Sequence, residues 1–258
     1  MISRVLRFWG HIINTKHLRI PKIAELPKSF LTFGKLNEQP HLSTKSLIIF
    51  SKSISTKTII TLWKIEEPAA YFLDYLGINS VDLPERSNAT HPAKQLEWLA
   101  SRSCVKYSVE LLKHSYCGID KDPHNNPYLV DIQGFVSLSH TNKYAVAVVS
   151  LEEEVGVDIE QITDKLSRVA HKFLSPTERT FAGEDLFKMC VYWCAKESLY
   201  KWYGKKNLSF KENIYIEPFE GKPIILQGEI FVDGVLKTEH QLAVFYVDDF
   251  VITVTVTP

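Results

Sequence analysis

The sequence predicts an α+β fold, with long helices packed on antiparallel sheet in two lobes that meet near residue 150. Three observations predict it. Runs rich in β-branched residues stand near both ends, Thr58 to Ile65 and Phe250 to Val256. Two long stretches between them carry helical periodicity, one reaching about Lys113 and one from about Asp185 to Tyr203. Asp233-Gly234 between apolar runs is a hairpin signal, which joins strands antiparallel.

Taken in order, residues 1–45 read as a basic N-terminal extension. Eight basic side chains (Arg4, Arg7, Lys16, Arg19, Lys22, Lys28, Lys35, Lys45) face only Glu25 and Glu38, and Pro21, Pro27 and Pro40 interrupt any periodicity. An organelle-targeting peptide is the alternative reading of such a segment. Residues 46–150 form the expected N-terminal lobe. LIIF from Leu47 and then Thr58 to Ile65 read as strands, Glu66 to Leu76 as a short helix ended by Gly77. Thr90-His91-Pro92 opens the next helix, with Leu96, Leu99, Val105, Val109 and Leu112 on its apolar side and Lys94 and Arg102 on its polar side. DKDPHNN, residues 120–126, is a turn-rich loop, followed by strands at Phe135 to Ser139 and Tyr144 to Val149.

Residues 151–258 form the expected C-terminal lobe. Ser175-Pro176-Thr177-Glu178 has the pattern of a capping box with proline at the first helical position. The helix from about Asp185 should turn Phe187, Cys190, Val191, Cys194 and Leu199 to the core and stop at Gly204. Strand runs follow at Ile214 to Ile216, Ile224 to Val232, Leu242 to Val247 and Phe250 to Val256. No internal sequence repeat is visible.

Composition narrows the function. Lys+Arg and Asp+Glu balance at 30 each, so the basic extension leaves the remaining 213 residues net acidic by six. That argues against a nucleic-acid partner, whose affinity rests on many cationic phosphate contacts. No apolar run approaches the ~18 residues of a membrane span. Cys104, Cys117, Cys190 and Cys194 lack C-x-x-C spacing and read as reduced, in a cytoplasmic protein.

The chemistry is concentrated in two short motifs. Val155 to Glu160, VGVDIE, places Asp158 and Glu160 on one strand face with Ile159 turned to the core. Paired carboxylates repel unless a cation sits between them, and Mg²⁺ takes one or two carboxylates plus substrate phosphates. A solvated strand terminus is the plainer reading of this motif alone. WCAKESLYK, residues 193–201, sets Glu197 and Lys201 one turn apart on a helix, where an exposed ion pair is the plainer reading. Cys190 and Cys194 share a face there too, but with no matching His or Cys pair they read as core. Ser139-His140 stands at a strand end, where a polar turn is the plainer reading than a ligand contact.

Together these motifs resemble the 4′-phosphopantetheinyl transferase superfamily, in its larger two-lobed, surfactin-synthetase-activating type. The resemblance spans about residues 58–256 and includes EWLASR (97–102), NPYL (126–129), SLSH (137–140) and KFLSPTE (172–178). It implies two similar lobes related by pseudo-twofold symmetry. It also implies a Mg²⁺-dependent transfer of the phosphopantetheine arm of coenzyme A to a serine of an apo acyl carrier protein, or of a carrier domain, releasing 3′,5′-ADP. By that resemblance Asp158, Glu160 and Glu197 hold the metal, Glu197 takes the serine proton, and Lys201 contacts the phosphates. Lys94, Arg102, Lys121, Ser139 and His140 fall at the family's coenzyme-binding positions. Two departures stand out: Asn126 replaces a common lysine, and His91 replaces a frequent Lys or Arg. The extension has no counterpart in the family pattern. A monomer is expected, meeting an acidic carrier through a basic patch, with Lys205 and Lys206 as candidates. The rivals are a catalytically impaired homologue that binds carrier and another Mg²⁺-dependent phosphodiester enzyme.

Overall fold

Apolar strands pair into two larger antiparallel sheets, with a separate two-stranded ribbon, in the computed structural model, which describes residues 47–80, 89, 91–205 and 207–256. The extension 1–45, Thr90 and Lys206 lie outside the described residues. The chain first forms β1 (Ile48–Ser55), β2 (Thr58–Lys64), α1 (Ala69–Leu76), α2 (Pro92–Leu111), the ribbon strands β3 (Ile119–Lys121) and β4 (Pro127–Leu129), then β5 (Phe135–His140) and β6 (Tyr144–Ser150). There follow β7 (Val157–Gln161), α3 (Lys165–Phe173), α4 (Pro176–Ala182), α5 (Leu186–Tyr203), β8 (Ile214–Ile216), β9 (Ile225–Val232), β10 (Val235–Val247) and β11 (Phe250–Val256). The first sheet has the order β1-β2-β6-β5, the second β7-β11-β10-β9-β8. In both, the strand before the long helix pairs with the last strand, and that strand pairs with the last but one.

The inner strands are those whose sequence offers no polar face. Every residue of β6, YAVAVVS, is buried, as is every residue of β11, FVITVTV. Each sheet has its own apolar cluster. Trp63, Phe72, Leu99, Val105 and Ala147 pack beneath α2, and Phe173, Cys190, Cys194, Leu199 and Val251 pack beneath α5. Cys190 and Cys194 are core residues, as their spacing suggested, while Phe187 is only half-buried.

Several boundaries differ from expectation for identifiable reasons. The first helix begins at Ala69, because Pro68 is extended and serves as its N-cap. Helix α2 ends at Leu111, where Leu112 leaves helical geometry and Lys113 turns to a φ of 65°. Strand β10 begins at Val235 and runs through the polar stretch Lys237 to Gln241, which pairs with β9 along most of its length. Helix α3 was not anticipated: only Leu166, Ala170 and Phe173 of its nine residues are buried, too short a stripe to read.

One glycine fixes how α5 meets β7. A Cβ on Gly156 would lie 1.9 Å from the Ser198 carbonyl oxygen, so the backbones touch there as no other residue would allow. The two sheets lie side by side at their edge strands, β5 and β7, within one compact unit. The Val157 amide donates to Ser137 Oγ at 3.1 Å, and Tyr144 donates to Asp248 at 2.6 Å. Asn126 Nδ2 donates to the Gly204 carbonyl at 2.6 Å, holding the end of α5 from the 120–126 loop.

Candidate active site

Asp158 and Glu160 lie on the same side of β7 because side chains alternate along a strand, and Ile159 between them is 2% exposed in the core. Glu197 reaches the same place from α5. All three carboxylates line one cavity of about 560 Å³, together with Lys94, Ser139, His140, Lys165 and Trp193. Carboxylates of β7 and α5 and basic residues from α2, β5 and α3 thus share one chamber at the seam between the sheets.

Asp158 is the most firmly held. Its Oδ1 accepts from Ser139 Oγ at 2.7 Å and from Lys201 Nζ at 2.8 Å. Lys201 also donates to Val157 O at 2.9 Å and Leu138 O at 3.4 Å, so its three protons are committed to protein oxygens. It pairs with Asp158 rather than with Glu197 one turn away, which overturns the plain reading of an exposed intrahelical pair.

The other two carboxyls are poised to pick up protons. Burial and the neighbouring Asp158 push Glu197 up to about 7, against the pull of Lys201. Burial and Asp158 raise Glu160 as well, opposed by hydrogen bonds from the Gln161 amide and the Trp193 indole. Unrelieved repulsion among hard oxygen donors is the condition a small divalent cation relieves, so this donor set fits Mg²⁺. Among the described residues, no group of three or more His, Cys, Asp or Glu side chains is already drawn together to hold a metal unaided.

The basic side is built around the first residue of EWLASR, to which the sequence reading gives no role. Glu97, 3% exposed on α2, accepts from Lys94 Nζ on both oxygens at 3.0 and 2.8 Å, and its Oε2 lies 2.9 Å from His140 Nδ1. Burial lowers the His140 pKa and Glu97 opposes that, with Lys94 and Arg102 adding to the lowering. Arg102 itself does not line the cavity. It stacks 3.9 Å from the Trp98 ring centroid, and burial pulls it down to about 10. Lys121, exposed on β3, stands outside the cavity too. Asn126 donates to Gly204 O and to Asp122 and does not line the chamber.

Two further lining residues have no role in the sequence reading: Lys165, and Trp193, which opens the 193–201 motif. Trp193 stands one turn before Glu197, a spacing that places both on one helix face. Lys165 belongs to the unanticipated α3 and had no signal.

Residues 154–255 match the sequence model of the 4′-phosphopantetheinyl transferase superfamily. The span includes Asp158, Glu160, Glu197 and Lys201; Lys94, Arg102, Lys121, Ser139 and His140 lie before it. A search of curated proteins returns no match.

Proposed function

We propose, for a chain whose residues 154–255 are a domain of the 4′-phosphopantetheinyl transferase superfamily, a Mg²⁺-dependent transfer of the 4′-phosphopantetheine arm of coenzyme A to a serine of an apo acyl or peptidyl carrier protein. The observation that carries this reading is the single cavity lined by Asp158, Glu160 and Glu197 and also by Lys94 and His140. A ligand with a pyrophosphate at one end of its nucleotide and a phosphate monoester at the other needs both kinds of wall.

In this reading the first sheet and its helices form the nucleotide lobe, residues 46–150, and the second forms the metal lobe, residues 151–258. The strand order they share supports two related lobes. Asp158, Glu160 and Glu197 would hold Mg²⁺, which when bound supplies charge neutralisation to the pyrophosphate. Glu197, whose carboxyl burial and Asp158 raise to about 7 in the metal-free fold, accepts the proton of the carrier serine hydroxyl. The serine oxygen then bonds to the phosphorus bearing the pantetheine, and the bond from that phosphorus to the bridging oxygen breaks. The electron pair leaves with 3′,5′-ADP. Lys201 keeps a positive charge beside that leaving group, and reaches it by surrendering its longest bond, to Leu138 O. Lys94 and His140 bind the nucleotide's 3′-phosphate, with Ser139 orienting Asp158. Arg102 and Lys121 contribute long-range charge only.

The carrier is acidic in this reading. Lys165, Arg168 and Lys172 are exposed on α3 beside the chamber and support that, as does exposed Lys205. The four unpaired cysteines support a reducing, cytoplasmic setting, and the enzyme acts as a monomer. Among the described residues no helix is long and apolar enough to cross a membrane.

The test is to incubate the protein with apo carrier, coenzyme A and Mg²⁺ and weigh the carrier by mass spectrometry. A gain of one phosphopantetheine arm is expected. No gain on carriers from fatty-acid and from peptide or polyketide systems would overturn the reading in favour of an impaired carrier-binding homologue or a different phosphodiester enzyme.

A further inference from the structure

Glu97 is a buried carboxylate that no part of the reaction above uses. Burying an ionised carboxylate is costly unless it is paired and hydrogen-bonded, and here both oxygens are satisfied by side chains that line the chamber while Glu97 itself stands behind them. Its side chain is 5% exposed, that of Lys94 63% and that of His140 33%. A lysine this exposed would ordinarily sample many rotamers. The fixed carboxylate at i+3 gives it one preferred place.

The contact with His140 also sorts the two ring nitrogens. A carboxylate only accepts, so Nδ1 carries a proton in the 2.9 Å contact and Nε2 is left as the ring's other polar atom. When an anion arrives at Nε2, the ring binds it best as an imidazolium donating from both nitrogens. Glu97 then supplies the counter-charge on the far side of the ring. Lys94, Glu97 and His140 together would present one or two positive charges forward and one negative charge behind.

We propose that Glu97 is a positioning residue that holds Lys94 and His140 as a preformed clamp for a phosphate monoester, and so sets the preference for a nucleotide carrying a 3′-phosphate. The inference rests on the coenzyme A reading above for the identity of the ligand. It goes beyond that reading in assigning the discrimination to a residue that never touches the phosphate.

The test compares 3′,5′-ADP with 5′-AMP, which lacks the 3′-phosphate, by calorimetric titration of wild type, Glu97→Gln, His140→Gln and Glu97→Gln/His140→Gln. Wild type should favour 3′,5′-ADP. Glu97→Gln should lose that preference by roughly tenfold, the scale of one charge-assisted contact, with 5′-AMP affinity unchanged. In the double variant the Glu97 change should cost less than it does alone, because its effect passes through His140. A merely structural role would weaken both nucleotides alike, and that result overturns the proposal. So does an undiminished preference in Glu97→Gln, or wild type that does not distinguish the two nucleotides. If Glu97→Gln does not fold, Glu97→Asp keeps the charge but withdraws it from the ring and should show a partial loss; full preference there overturns the proposal. Preference for 3′,5′-ADP without transfer to any carrier defeats the transferase reading and leaves the clamp standing. Transfer without that preference does the reverse.

Discussion

Glu197 carries the sharpest consequences at the scale of single residues. In its proposed role as the base it should be irreplaceable: Glu197→Gln, nearly the same shape, is expected to lower transfer by ~10²-fold or more while circular dichroism stays native. Normal turnover by mass spectrometry in that variant would remove Glu197 from the role. Its carboxyl also marks the fold's pH response. Burial and Asp158 raise the folded value to about 7 from the ordinary 4.5, so between these the native state holds a proton the unfolded chain has released. Stability without metal therefore falls as pH rises from about 4.5 to 7, by up to ~3 kcal/mol, and the loss is complete above that window. Urea unfolding in EDTA at pH 5 and pH 8 should show this slope in wild type and a shallower one in Glu197→Gln. The residue types of the site were legible in the sequence because the motif spacing put carboxylates two apart on a strand and a third on a helix. What was not legible was partnership: Lys201 looked one turn from Glu197 and in fact bonds Asp158 across the seam, since only the folded packing of α5 on β7 brings them together.

Elements were legible where caps or uniform burial announced them. The Ser175 capping box is complete, with the Glu178 amide donating to Ser175 Oγ at 3.3 Å and the Ser175 amide to Glu178 Oε2 at 2.7 Å. Glu178 does more than cap, because the fully buried Lys196 donates to it at 2.6 Å and to the carbonyls of Phe173, Phe210 and Ile214. Lys196→Met would strand that carboxylate and should cost about 3–5 kcal/mol in chemical denaturation; a loss under 1 kcal/mol would mean that water reaches Glu178. Helix α3 and the first half of β10 escaped notice because tertiary pairing, not local pattern, stabilises them. The same holds for Gly156, whose need was visible only once Ser198 lay against it. Gly156→Ala must push β7 and α5 apart, and a destabilisation of at least ~1–3 kcal/mol is expected from melting curves.

At the scale of the molecule, the seam between the sheets is where ligand energy should be felt. A cation that binds only the folded chain raises its stability in proportion to the logarithm of saturation. Added Mg²⁺ is therefore expected to raise the melting midpoint at pH 8, and to do so less in Glu160→Gln or Glu197→Gln. An equal shift in all three proteins would place the ion elsewhere. The α+β class could be anticipated, but not the way Asn126 reaches from the loop between β3 and β4 to the carbonyl of Gly204, which caps α5, since no spacing rule links residues 78 apart.

The side-by-side placement of β5 and β7 has one more consequence. Each is the outermost strand of its sheet, and an outermost strand is a template for unwanted pairing with other chains. Here each shields the other through serine side chains rather than a backbone ladder. Residues 154–255 produced alone would bare β7, lose the Ser137 and Ser139 hydroxyls, and tend toward aggregation despite containing the whole acidic trio. Co-produced with the preceding half, the same fragment should stay in solution.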